Sequence, residues 1–263
     1  MIVDGGSIDG TLEKLQEMSK LDNRIKVYQH EWDISQPDLM GQEKTYAKNL
    51  CTQDYHIQLD ADEILIEPIN DQIRSLIGSN SKVPIFDIPG INIYGDSKTI
   101  RIEEAIQKWR IVKSDENIIH GVHGSARELD PKTMKITFDK KISDSCEFID
   151  KNTLEIASHA GTIPQQVANM HHYLLQLHLR KEEIPQDLID KYKTVIKQIR
   201  ESMPHTIHLS WSNLDNKEER GSFWDETWHG KNSWTHNTSN NIKQRVKNNE
   251  DLLIKFDTEI WKG

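Results

Sequence analysis

The sequence predicts an α/β fold in which a mainly parallel sheet is flanked by helices. Three stretches carry that prediction. The chain opens with Ile2 and Val3, a Gly-rich turn "DGGSIDG", a helical stretch and a second apolar run, the strand–loop–helix–strand order of a parallel sheet. "YHIQLD" (55–60) then reads as a buried strand running straight into Asp60, Asp62 and Glu63. From Pro164 onward the texture turns helical.

The elements follow in order. Asp9 or Thr11 caps a first helix in which Leu12, Leu15 and Met18 recur at helical spacing. "RIKVYQ" is a strand and 42–50 a second helix. After the acidic run, Pro68 opens "PINDQIRSLIG", with Gly78 at its end. "VPIFDIPGINIYG", "QKWRIVK", "MKITFDK" and "LEIASHA" read as strands. "PQQVANMHHYLLQLHLRKEE" and "PQDLIDKYKTVIKQIRESM" are helices, each opened by Pro. Residues 205–240, rich in Trp, His, Asn and Ser, read as irregular, and "NNIKQRVKNNEDLLIKFDTEIW" as a last helix. The change of texture divides the chain into a core, 1–162, and a mostly helical region, 163–263.

Composition narrows the function. A net charge of −9 argues against nucleic-acid binding, which needs a basic face. With 35% hydrophobic and 29% charged residues the profile is that of a soluble protein. No stretch approaches the roughly 20 apolar residues of a membrane helix. No basic-then-apolar leader is visible, so the cytoplasm is the expected location. Cys51 and Cys146 form no CxxC pair and read as reduced thiols.

The acids pose the sharpest question. Carboxylates at the end of a buried strand are poorly solvated and repel one another, so something positive belongs beside them. Strand alternation directs Asp60 and Asp62 to the same side, and hard oxygen ligands suit Mg²⁺ or Mn²⁺. Open α/β sheets bind ligands outside the carboxyl ends of their strands. A cation carrying a nucleotide diphosphate is therefore the expected partner. The structural alternatives are solvated turns or caps for these acids and for Asp4 and Asp9, and an exposed helix lysine for Lys48.

"VDGGSIDGT" (3–11), "GQEKTYAKN" (41–49) and "LDADE" (59–63) together resemble the family 2 glycosyltransferases. Lys48 stands where that family usually has Arg. The resemblance implies the GT-A fold, a Rossmann-like, mainly parallel sheet flanked by helices, here with a helical C-terminal extension. It also implies site roles. Asp4 would contact the base or ribose of a sugar nucleotide, Asp60 the ribose or metal, and Asp62 the metal holding the diphosphate, while Lys48 would neutralise the diphosphate. Mn²⁺ or Mg²⁺ would be the cofactor and a UDP-sugar the expected donor, with a glycan, lipid-linked or protein acceptor. The family has a strand and helix with a P-x-Y-N signature ahead of the VD-x-G-S turn. The sequence begins after that point, which predicts a compromised nucleotide pocket.

An inverting transfer needs a base near the acceptor hydroxyl. "KWRIVKSDENIIHGVHGSARELD" (108–130) resembles the family's acceptor-side segment through Arg110, Gly121, Val122 and His123. Gly124 stands where Glu is often found, leaving Glu104, Glu128 and Asp130 as base candidates by proximity. The C-terminal region would contribute to the acceptor side. His159, at a strand end before Gly161, is the preferred third metal ligand, with His172 in reserve. Trp224, Trp228 and Trp234 could bind sugar or anchor a loop. Two functions compete: a metal-dependent, inverting glycosyltransferase, and a catalytically inactive GT-A-like protein that binds glycan or nucleotide. A nucleotidyltransferase would need a basic Gly-rich loop that the sequence lacks.

Overall fold

The computed structural model describes residues 1–33, 39–102, 106–120, 127–130, 135–138, 148–150, 155–156, 159–213 and 253–261. The chain is a mixed α/β protein. It begins β1 (Ile2–Asp4), α1 (Thr11–Leu21), β2 (Val27–Gln29), α2 (Leu39–Asn49), β3 (Tyr55–Ile57), β4 (Glu63–Ile66) and α3 (Gln72–Ser79). Next come β5 (Ile85–Tyr94), β6 (Asp96–Arg101), β7 (Gln107–Lys113), β8 (Ile118–His120), β9 (Arg127–Asp130), β10 (Lys135–Phe138), β11 (Phe148–Asp150), β12 (Glu155–Ile156) and β13 (His159–Gly161). It closes with α4 (Gln165–Leu179), α5 (Gln186–Ser202), β14 (His205–Trp211) and β15 (Leu253–Lys255). No described helix is long and apolar enough to cross a membrane.

Contacts divide the chain into two units. Of the described residues, 1–56 and 113–156 contribute to the first, and 57–112, 159–213 and 253–261 to the second. The expected boundary at 162–163 falls inside the second unit.

In the first unit β1 and β2 pair in parallel, Val3 opposite Tyr28. This is the strand–helix–strand unit read from the sequence. Gly10, at φ 90, turns the chain into α1, and Asp9 Oδ1 accepts the Thr11 N–H at 3.1 Å. Asp9 thus performs turn chemistry. Further along, β8 pairs with β11 and β11 with β12, while β9 pairs with β10, all antiparallel.

The second unit is organised by β5, ten residues long and almost wholly buried. Its first half pairs with β13 in parallel and with β7 antiparallel. Its second half pairs with β14 in parallel and with β6 antiparallel. The change of partners falls at Pro89 and Gly90, where Pro89 has no N–H to donate to a ladder. Beyond these, β14 pairs with β4 and β6 with β15, both antiparallel. β3 pairs with β7. The sheet is therefore mixed, and most of its described pairings are antiparallel rather than parallel. One of these pairings has a local cause: Gly95, at φ 66, folds β6 straight back on β5, and a direct return of this kind gives antiparallel pairing.

Two other expectations change. The segment 205–211, read as irregular, is a strand between β4 and β5. Residues 253–255, read as part of a helix, form an edge strand on β6. The two helices opened by Pro164 and Pro185 are present as α4 and α5. Leu174, Tyr192, Ile196 and Ile199 from these helices join Ile91 and Ile207 from the sheet in one core.

Candidate functional site

The acidic run forms a turn between β3 and β4 in the second unit. The Glu63 N–H donates to the Asp60 carbonyl at 3.0 Å, and the Asp60 N–H donates to Glu63 Oε2 at 3.2 Å. Arg110 reaches the turn from β7. Its Nε and Nη2 form a fork on the two Glu63 oxygens, at 2.7 and 2.6 Å. The same Nη2 lies 3.5 Å from Asp60 Oδ2. Burial separates the acids. The Glu63 side chain is 1% exposed, whereas those of Asp60 and Asp62 are 35% and 27% exposed. The positive partner that the sequence demanded is thus supplied in part by the protein itself.

A histidine faces Asp62 from the neighbouring strand. The Leu209 N–H donates to the Asp62 carbonyl at 2.8 Å, seating β14 beside the turn. His208 Nε2 then lies 3.5 Å from Asp62 Oδ1. On its other side His208 Nδ1 is 2.8 Å from Asn92 Oδ1. An amide oxygen only accepts, so Nδ1 carries the hydrogen and Nε2 is directed at the carboxylate. Sequence reasoning missed His208 because it lies in the stretch read as irregular. Its signal was the short alternation of "HTIHLSW".

His159 is placed elsewhere. It starts β13 opposite Ile85, with β5 and β7 lying between β13 and β3. Three strand spacings are ~14 Å, so the register does not bring His159 to the acids that follow β3. His172 is exposed on α4.

The donor set suits a hard cation in part. Asp60, Asp62 and the Nε2 of His208 offer oxygen and nitrogen ligands. No group of three or more His, Cys, Asp or Glu among the described residues stands ready as a complete site. Mg²⁺ and similar ions are commonly held by one or two carboxylates, with substrate phosphates supplying the remaining ligands. The residues present fit that mode.

The first unit holds the other expected residues. Asp4 is buried, and its Oδ1 accepts the N–H groups of Gly6 and Ser7 at 3.1 and 3.0 Å. Its Oδ2 accepts the Ser7 hydroxyl at 2.6 Å. Burial raises the Asp4 pKa, but the Ser7 and Gly6 hydrogen bonds outweigh it and leave the carboxyl below its ordinary value. Gly5 follows at the Trp32 indole, where a Cβ would collide with the ring. Lys48 is buried at 4% exposure, and its Nζ donates to the Asp115 carbonyl at 2.6 Å. The reading of Lys48 as an exposed lysine is overturned.

His56 lies near the Lys48 charge and pairs through Nδ1 with Ser114 Oγ at 3.2 Å. Elsewhere on α2, Glu43 holds His30 Nδ1 at 2.8 Å while the His30 ring stacks on Tyr46. Of the base candidates, Glu128 and Asp130 fall on β9 opposite Thr137 and Lys135. Glu104 lies outside the described residues, as do Trp224, Trp228 and Trp234. No family model matches the chain, and no curated protein matches it.

Proposed function

We propose that this chain is a metal-dependent glycosyltransferase of the GT-A kind. It moves a sugar from a nucleoside diphosphate, UDP in the first instance, to a hydroxyl acceptor with inversion, and it works in the cytoplasm. The observation that carries the reading is the pair of partly exposed carboxylates at the carboxyl end of β3, with His208 Nε2 3.5 Å from Asp62. Asp60, Asp62 and His208 would hold Mn²⁺ or Mg²⁺. When bound, the ion supplies positive charge to the departing diphosphate. The chain's part is to fix that charge. Asn92 orients the His208 ring, and β14 holds the Asp62 carbonyl in register.

A second reading, a GT-A-like protein that binds glycan or nucleotide without turnover, is favoured by the first unit. The Asp4 carboxylate and the Lys48 ammonium, both expected on the nucleotide, are engaged in hydrogen bonds within the protein.

Calorimetric titration of UDP, with and without Mn²⁺, tests the binding step. Metal-dependent binding that falls at least tenfold in Asp62→Ala is the expected outcome. A folded sample that binds no nucleotide with metal present would sink the enzyme reading. Hydrolysis or transfer of a UDP-sugar then separates the enzyme from the binding protein.

A further inference from the structure

We propose that Arg110 and Glu63 are a positioning pair for the cation site, shaping the Asp60–Asp62 turn and setting its charge. The proposal rests on the cation reading above and gives roles to Glu63 and Arg110, which lie in the stretches 59–63 and 108–130 but were given none there.

Three observations carry it. First, the Glu63 carboxylate is an acceptor for the turn itself, since its Oε2 takes the Asp60 N–H at 3.2 Å. The conformation presenting Asp60 and Asp62 therefore depends on where that carboxylate stands. Second, Arg110 fixes the carboxylate with two parallel bonds of 2.7 and 2.6 Å. A planar guanidinium sets orientation as well as distance, which an ammonium does not. A further Arg110 bond, Nη1 to the Trp109 carbonyl at 3.2 Å, braces the guanidinium on its own strand. Third, the charges divide. Glu63 is buried against Arg110, so one guanidinium silences one carboxylate. Asp60 and Asp62 stay partly exposed, with side chains 35% and 27% open to solvent, where a divalent ion would meet them. Arg110 Nη2, 3.5 Å from Asp60 Oδ2, also holds Asp60 near the pair.

The test uses Mn²⁺ together with UDP as the probe, UDP supplying the phosphate ligands, with free ion counted by electron paramagnetic resonance on the full chain against a blank of Mn²⁺ and UDP without protein. Removing one member of a buried pair threatens folding, so the main variant replaces both: Arg110→Met with Glu63→Leu. Apolar replacement of a whole buried pair is commonly tolerated. Arg110→Lys keeps the charge and loses the fork. The expected result is Mn²⁺ affinity at least tenfold weaker in the folded double variant and several-fold weaker in Arg110→Lys. A double variant that melts as a cooperative fold and binds Mn²⁺ like the wild type would overturn the positioning role alone. Wild-type protein that takes up no Mn²⁺ beyond the protein-free blank containing UDP would overturn this proposal together with the cation reading.

Discussion

Asp60 and Glu63 lie three positions apart and carry the same functional group, yet their surroundings divide them. Glu63 is enclosed and bonded to Arg110, while Asp60 keeps about a third of its side chain in contact with water. Nothing in "LDADE" distinguishes them, because the partner lies in "QKWRIVK" and meets them only through the β3–β7 pairing. His56 is a second case in which burial decides chemistry. Desolvation first, then the Lys48 ammonium, push its pKa from the ordinary 6.5 down to about 4. The unfolded chain then binds more protons than the folded one between those values. Stability therefore falls as pH drops from 6.5 towards 4, by up to about 3 kcal/mol for this group. Urea denaturation across that window is expected to show a shallower slope in His56→Gln. A remaining slope is expected from His205, which burial also shifts downward.

At the scale of elements, local pattern and long-range pairing were legible to different degrees. The spacing of Leu12, Leu15 and Met18, and the prolines before α4 and α5, announced helices because a helix is a local object. Strand β14 was hidden because its seven residues sit beside a Trp-, His- and Asn-rich run that reads as a loop. The preference for His159, with His172 in reserve, missed His208 as the Asp62 neighbour for a related reason. His159 and His208 both lie on short strands, and only the order of strands in the sheet tells which one meets the acids. Helix α5 gives a direct test of packing. Ile196 is 1% exposed in the core shared with Leu174 and Ile207. Ile196→Ala is expected to cost about 2–5 kcal/mol, read as a lower midpoint in urea with an unchanged slope.

For the molecule as a whole, the partner exchange along β5 has a consequence for synthesis on the ribosome. The half of β5 beyond Pro89 waits for β14, which pairs Thr206 with Gly90 and Ile207 with Ile91. β4 waits for the same strand, with Ile66 opposite His205. Until β14 has left the exit tunnel, both strands present open backbone edges beside apolar side chains, the condition that recruits other chains. A chain ended after Met203 keeps α4 and α5 but lacks the strand that joins β4 to β5. It is expected to collect in the insoluble fraction on expression, where the full chain does not. A nascent chain of this protein is therefore expected to bind holding chaperones until β14, which begins at His205 of 263 residues, emerges in the last quarter of its synthesis.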